Sequence, residues 1–196
     1  LAHIAERKAF SMALNSLIDK GKQGDVSSEA LALVDKIEKI LGDSWQSSSY
    51  DMLRDLAHSP DSKWAHYVNR IVREVDPHIL KTFLLNAGYE AGFRGYKTSL
   101  AMKEKYGCNI PWIILMDPTT ACNLHCTGCW AAEYGNRLNL SYEIMDKIIT
   151  EGKELGIYAY LFTGGEPLVR RDDIIRLCEK HKDVAFHAFT NGTLID

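Results

Sequence analysis

Cys122, Cys126 and Cys129 fall within the stretch Cys-Asn-Leu-His-Cys-Thr-Gly-Cys at residues 122–129, separated by three and then two residues. No helix or strand fits between them, so three sulfurs can converge on one object. Closely spaced thiolates are the usual ligands of iron-sulfur clusters, four to a cluster. This loop supplies three and no fourth cysteine lies nearby, which would leave one iron open to a ligand that is not protein. Zinc is the competing object, because Cys and His also bind it and His125 lies in the loop. His125 adjoins Cys126, however, an awkward position for chelating the same ion, and paired C-x2-C knuckles are missing. A plain electron-transfer cluster would draw its fourth ligand from Cys108 or Cys178. Cys108 precedes the first expected strand, and Cys178 falls on an apolar helix face where a buried, inert thiol is expected.

A second motif follows, Thr-Gly-Gly-Glu-Pro at residues 163–167. Gly164 and Gly165, lacking side chains, let the backbone approach a ligand closely and adopt unusual dihedrals. Glu166 can accept hydrogen bonds from a cation. Further on, Asn191 sits in Thr-Asn-Gly-Thr at residues 190–193, a sequence that also reads as a simple turn.

The spacing C-x3-C-x2-C, followed in this order by the GGEP segment, resembles the radical SAM superfamily. The resemblance implies that Cys122, Cys126 and Cys129 hold a 4Fe-4S cluster whose open iron is chelated by S-adenosylmethionine. It implies that Gly164, Gly165 and Glu166 bind the methionine ammonium, and that Asn191 lies near the cofactor. The activity implied is reductive cleavage of S-adenosylmethionine to a 5'-deoxyadenosyl radical that takes hydrogen from a substrate, with a reductant such as flavodoxin or ferredoxin as partner. The substrate, a peptide or a small molecule, is not named by any residue, and no catalytic side chain is assigned beyond the cluster ligands. The family often places an aromatic residue just before the third cysteine, against adenine; here that residue is Gly128, and Trp130 follows the cysteine instead. Glu133, Tyr134 and Arg137, just beyond the loop, are candidates to face substrate. An iron-sulfur electron carrier and a zinc-stabilised binding module remain the alternatives.

The elements around these motifs divide the chain in two. Residues 1–107 read as an all-α region. Ile4, Leu14, Leu17 and Ile18 recur at helical spacing until Gly21 and Gly24, and Leu31, Val34, Ile37, Ile40 and Leu41 do so from a Ser27 or Ser28 cap to Gly42. A short helix is expected before Pro60. Trp64, Val68, Ile71, Val72 and Val75 then form an apolar stripe, and Asp76-Pro77 starts a helix carrying Ile79, Leu80, Phe83 and Leu84. Gly88, Gly92 and Gly95 suit tight helix packing, with Tyr89, Phe93 and Tyr96 as core aromatics.

From residue 108 the pattern alternates strand with helix. The run 112–116 is continuously apolar, as expected of a strand buried on both faces of a parallel sheet. A helix capped by Ser141, a strand over 157–162, a helix from Asp172 or Asp173 and a strand over 184–189 follow. The order βαβαβ implies an α/β fold with a parallel sheet, and each candidate loop follows the C-terminal end of a strand, where such folds place their sites. The resemblance makes residues 108–196 the first three βα units of a partial (β/α)6 barrel, truncated. The chain begins at Leu1 and stops soon after the third strand, so a fragment of a longer enzyme is expected.

Composition is that of an ordinary globular protein: 196 residues, 46% hydrophobic, 25% charged, with a net charge of -3. Dispersed charges argue against a nucleic-acid footprint. The longest apolar run, 110–116, falls far short of the roughly 20 residues of a membrane span. Five cysteines, three of them in one loop, do not suit a disulfide framework, and a cytoplasmic protein is expected. His3, His58, His66, His78, His181 and His187 show no ligand spacing.

Overall fold

The computed structural model describes residues 2–24, 27–41, 47–59, 61–131, 135 and 137–195; Gly42, Pro60, Glu133 and Tyr134 lie outside these. The chain forms two compact units, Leu1–Tyr89 and Glu90–Asp196.

The first unit is helical: α1 (Ala2–Gly21), α2 (Ser27–Leu41), α3 (Ser47–His58), α4 (Lys63–Glu74) and α5 (Pro77–Phe83). Ile18, Val72 and Leu80 from three of these helices meet in one core, with Val68, Ile71, Val75 and Leu84 against it. Leu14 and Val34 are buried as their spacing predicts. Ile4, Trp64, Ile79 and Phe83 are exposed instead. Trp64 is on the α4 stripe but in its first turn, beyond the reach of that core. Asp76 caps α5, its carboxylate accepting from the backbone N–H groups of His78 and Ile79 at 2.9 and 3.2 Å, and Ser62 caps α4 through Ala65 N–H. Each cap satisfies donors that a helix start leaves orphaned.

Residues Leu84–Gly95 form a wider, π-type helix in which the chain passes from the first unit to the second. The second unit continues with α6 (Tyr96–Tyr106), β1 (Ile114–Met116), α7 (Tyr142–Glu154), β2 (Ala159–Phe162), a 3-10 turn at Pro167–Arg170, α8 (Arg171–Lys180) and β3 (Ala185–Ala188). So α6, read from the sequence with the helical region, packs within the α/β unit. Gly95 shows how: a Cβ there would lie 2.4 Å from the Gly156 carbonyl oxygen, so the helix and the turn before β2 touch backbone to backbone. Tight packing, expected at this glycine, is what it provides; Gly88 has open space around it.

The three strands are parallel and lie in chain order, β1-β2-β3. Helices α7 and α8 cover one face, where Met145, Ile149 and Leu177 pack with Met116, Tyr160 and Phe162. At the centre, Gly152 of α7 lets Tyr160 in; a Cβ at 152 would sit 2.0 Å from the Tyr160 hydroxyl. That hydroxyl lies 3.3 Å from the carbonyls of Ile149 and Ile157, and burial pushes its pKa up.

The opposite face corrects an expectation. Leu115, Leu161 and His187 stand in one register row, yet Leu115 is 55% exposed, and Trp112 is also exposed, ahead of the strand. The strand is not buried on both faces, because α7 and α8 pack against the alternate residues and the Leu115 side of this edge strand is left open. Cys178 is likewise exposed, not buried; its neighbour Leu177 is the α8 residue that enters the core. Among the described residues no helix is long and apolar enough to cross a membrane.

Candidate functional site

The site is assembled where β1 and β2 end. The backbone hydrogen bonds between these strands continue past them: Thr163 N–H donates to Met116 O at 2.9 Å, Gly165 N–H to Thr119 O at 3.0 Å and Glu166 N–H to Ala121 O at 2.8 Å. The turn bearing Gly164, Gly165 and Glu166 is thus laid directly along the chain entering the cysteine loop. Both glycines are needed for this. Gly164 has φ +100, and a Cβ on it would lie 2.7 Å from Thr119 O; one on Gly165 would lie 2.2 Å from Ala121 O and 2.7 Å from Thr120 O. Real Cβ atoms do not come so near a backbone, and positive φ is strained for other residues. In the folded chain both glycines approach residues 119–121 closely, and Gly165 also lines the cavity beside the cysteines.

A second strand of chain braces the entry from its other side. Thr120 N–H donates to Leu138 O at 3.0 Å, Leu140 N–H to Pro118 O at 3.0 Å, and Thr119 bridges Asn139. The Arg170 guanidinium clamps both segments, donating to Leu140 O at 2.9 Å and Pro118 O at 3.4 Å while paired with Asp173. Arg170 and Asn139 carry no spacing that would single them out in the sequence. Arg137 is exposed.

Cys122, Cys126 and Cys129 line one cavity of about 210 Å³ together with His125, Thr120 and Gly165. All three are free thiols, and Cys108 and Cys178 are not among the residues lining it. Within the loop, Cys129 N–H donates to Cys126 O at 3.2 Å and Leu124 N–H to Cys122 Sγ at 3.5 Å. Gly128 has φ +74, which explains why the residue before the third cysteine is not aromatic here: this turn requires a conformation that a bulky side chain resists. Trp130 is exposed.

Among the described residues, no three His, Cys, Asp or Glu side chains converge tightly enough for a single metal ion. The three cysteines do share the wall of one cavity. The donor set and the shared cavity fit a four-iron cluster, whose irons take thiolate ligands one by one.

Glu166 is 1% exposed and already occupied. Its carboxylate accepts from Leu168 N–H at 2.9 Å, the Thr190 hydroxyl at 2.7 Å and Asn191 N–H at 2.8 Å. A carboxylate has about four acceptor positions, so about one is left. Glu166 thereby ties the end of β2 to the end of β3. The Asn191 side chain turns the other way, its amide donating to Asn123 Oδ1 at 2.9 Å, so it reaches the cysteine loop from the tip of β3. One buried oxygen, Asp117 Oδ1 just after β1, has no partner among the described residues.

Residues 116–196, which contain the three cysteines, the GGE turn, β2, α8 and β3, match the family model of the radical SAM superfamily. This segment belongs to the radical SAM superfamily. Curated relatives agree. The chain is 36% identical over 83 residues to an uncharacterised protein of Archaeoglobus fulgidus, a match covering 41% of this chain and 20% of that protein. It is 35% identical over 101 residues to the GTP 3',8-cyclase of Petrotoga mobilis, covering 48% and 31% of the two chains. A probable GTP 3',8-cyclase of Methanosarcina mazei is 31% identical over 121 residues, covering 57% and 35%. The chain thus spans about a third or less of the length of these relatives. No solved structure matches it.

Proposed function

We propose that this chain is the cofactor-handling part of a radical SAM enzyme, in which Cys122, Cys126 and Cys129 hold a 4Fe-4S cluster and leave one iron for S-adenosylmethionine. The observation that carries the proposal is the single cavity lined by the three cysteines and by Gly165 of the GGE turn, with neither remaining cysteine on its wall. A fourth protein thiolate would make the cluster an electron store; its absence from the lining residues favours a site for an exchangeable ligand.

The cluster and S-adenosylmethionine, when bound, supply a reductive carbon-sulfur cleavage that yields a radical able to take hydrogen from substrate. The chain's own residues do the positioning. The turn of Gly164, Gly165 and Glu166 would receive the methionine ammonium, with Gly165 on the cavity wall and the buried Glu166 carboxylate holding Asn191 in place. The three strands are the first of a partial (β/α)6 barrel, whose α/β part, read from the sequence as residues 108–196, is joined in the fold by α6. A cytoplasmic reductant of the flavodoxin or ferredoxin kind delivers the electron. The relatives named for a reaction on GTP are matched over too little of their length to bring that substrate with them, so the proposal stops at the cofactor, with a peptide or small molecule as substrate.

Anaerobic reconstitution of the whole protein tests this. Iron and sulfide should be taken up at four per chain, with a cluster spectrum that changes on adding S-adenosylmethionine. A bound zinc, or a cluster indifferent to the cofactor, overturns the proposal.

A further inference from the structure

Asn123, the residue between Cys122 and Leu124, is exposed and is singled out by no spacing rule, yet its side chain is held at both ends. Its Nδ2 donates to the Thr193 hydroxyl at 2.8 Å, and its Oδ1 accepts from Asn191 Nδ2 at 2.9 Å. The ring closes on the far side, where the Thr193 hydroxyl and N–H donate to Asn191 Oδ1 at 2.7 and 2.9 Å. Each amide satisfies its partners in one orientation only, and hydrogen bonds in such a ring polarise one another. Behind the ring, Asn191 N–H is fixed by the buried Glu166 carboxylate. A continuous set of bonds therefore runs from the GGE turn, through the tip of β3, to the residue beside the first cysteine.

What this set controls is the peptide that follows. Leu124 N–H points at Cys122 Sγ at 3.5 Å, and the orientation of that N–H depends on how residue 123 is held. Hydrogen bonds to cysteine sulfur stabilise the more negative, reduced state of an iron-sulfur cluster and so raise its potential. We propose that Asn123 is a positioning residue, locked by Asn191 and Thr193 so that Leu124 N–H stays on Cys122 Sγ and sets how readily the bound cluster accepts an electron. This rests on the cluster assignment above. It assigns to Asn123 and Thr193 a part in tuning the cluster without contact with it.

The test uses the whole protein, reconstituted anaerobically, as wild type, Asn123→Ala, Thr193→Val and the double variant. Redox titration should show a more negative midpoint in both single variants, and iron should be lost to a chelator about tenfold faster, as is usual when a residue behind a metal ligand is removed. The double variant should match the single ones, since either change opens the ring. Melting of the cluster-free protein should be unchanged, which separates positioning from general stability. Unchanged potential and iron loss, or effects that add in the double variant, overturn the lock while leaving the cluster assignment intact. A wild type that takes up no iron overturns both.

Discussion

Glu166 and Cys126 sit on neighbouring turns at the same end of the sheet, and they are held in contrasting ways. Glu166 is buried with three protein hydrogen bonds, and the glycines before it are wedged against backbone. Cys126 is exposed, in a loop fastened at its start, through Ala121 and Asn123, with a single backbone bond linking its second and third cysteines. One side of this end of the sheet is fixed by the chain's own packing, and the other is an exposed loop with few bonds of its own. Under the proposed function, a preorganised scaffold on one side and a loop organised by its ligand on the other would let a site be exact in geometry and still load a large inorganic group.

The contrast can be broken from either side. Cys126→Ala should abolish cluster uptake, measured as iron per chain, while leaving the melting temperature of the cluster-free protein unchanged, because the loop contributes little to the fold; Cys178→Ala, also exposed but away from the cavity, should leave iron content intact. Glu166→Ala should do the reverse of Cys126→Ala, acting on the fold first. Three donors lose their buried acceptor, which costs about 3 kcal/mol in urea unfolding, and a Glu166→Ala protein as stable as wild type would show that the wall is not built as described. Gly165→Ala should cost about 1 to 3 kcal/mol and also weaken cluster retention, since the new methyl can be accommodated only by moving the Ala121 carbonyl next to Cys122.

The smallest effect expected lies farther from the site. The Lys180 ammonium, 2.7 Å away, together with His181 at 2.8 Å, holds the Asp146 carboxyl below the usual carboxylate range. A carboxyl with a depressed pKa stabilises the fold in full above its unfolded value near pH 4 and loses that contribution as pH falls through the folded value. Asp146→Asn should therefore lower Tm at pH 7 by about 2 °C and make no difference well below pH 3, read by thermal melts across that range.

Much of this was legible in the sequence, for identifiable reasons. The cysteine spacing and the GGEP turn are local, so residue order alone specified them. The three strands were visible as short apolar runs bounded by turns, and α5 by its Asp76-Pro77 start. What failed depended on neighbours. Leu115 has the composition of a doubly buried strand residue, but which face receives a helix is set by α7 and α8. Cys178 lies next to the core residue Leu177, and a small shift around a helix decides exposure. That Gly164 and Gly165 also pack against residues 119–121 is set by the neighbouring chain and shows only in the fold. Asn123 and Thr193 are 70 positions apart and meet only because β3 ends beside the cysteine loop.

The strand order has a consequence for how the unit comes into being. Because β1, β2 and β3 lie side by side in the order in which they are synthesised, each of β2 and β3 finds its neighbour already present when it is made. Growth by addition at one border keeps pairing partners close along the chain, which shortens the search and suits assembly while the polypeptide is still emerging from the ribosome.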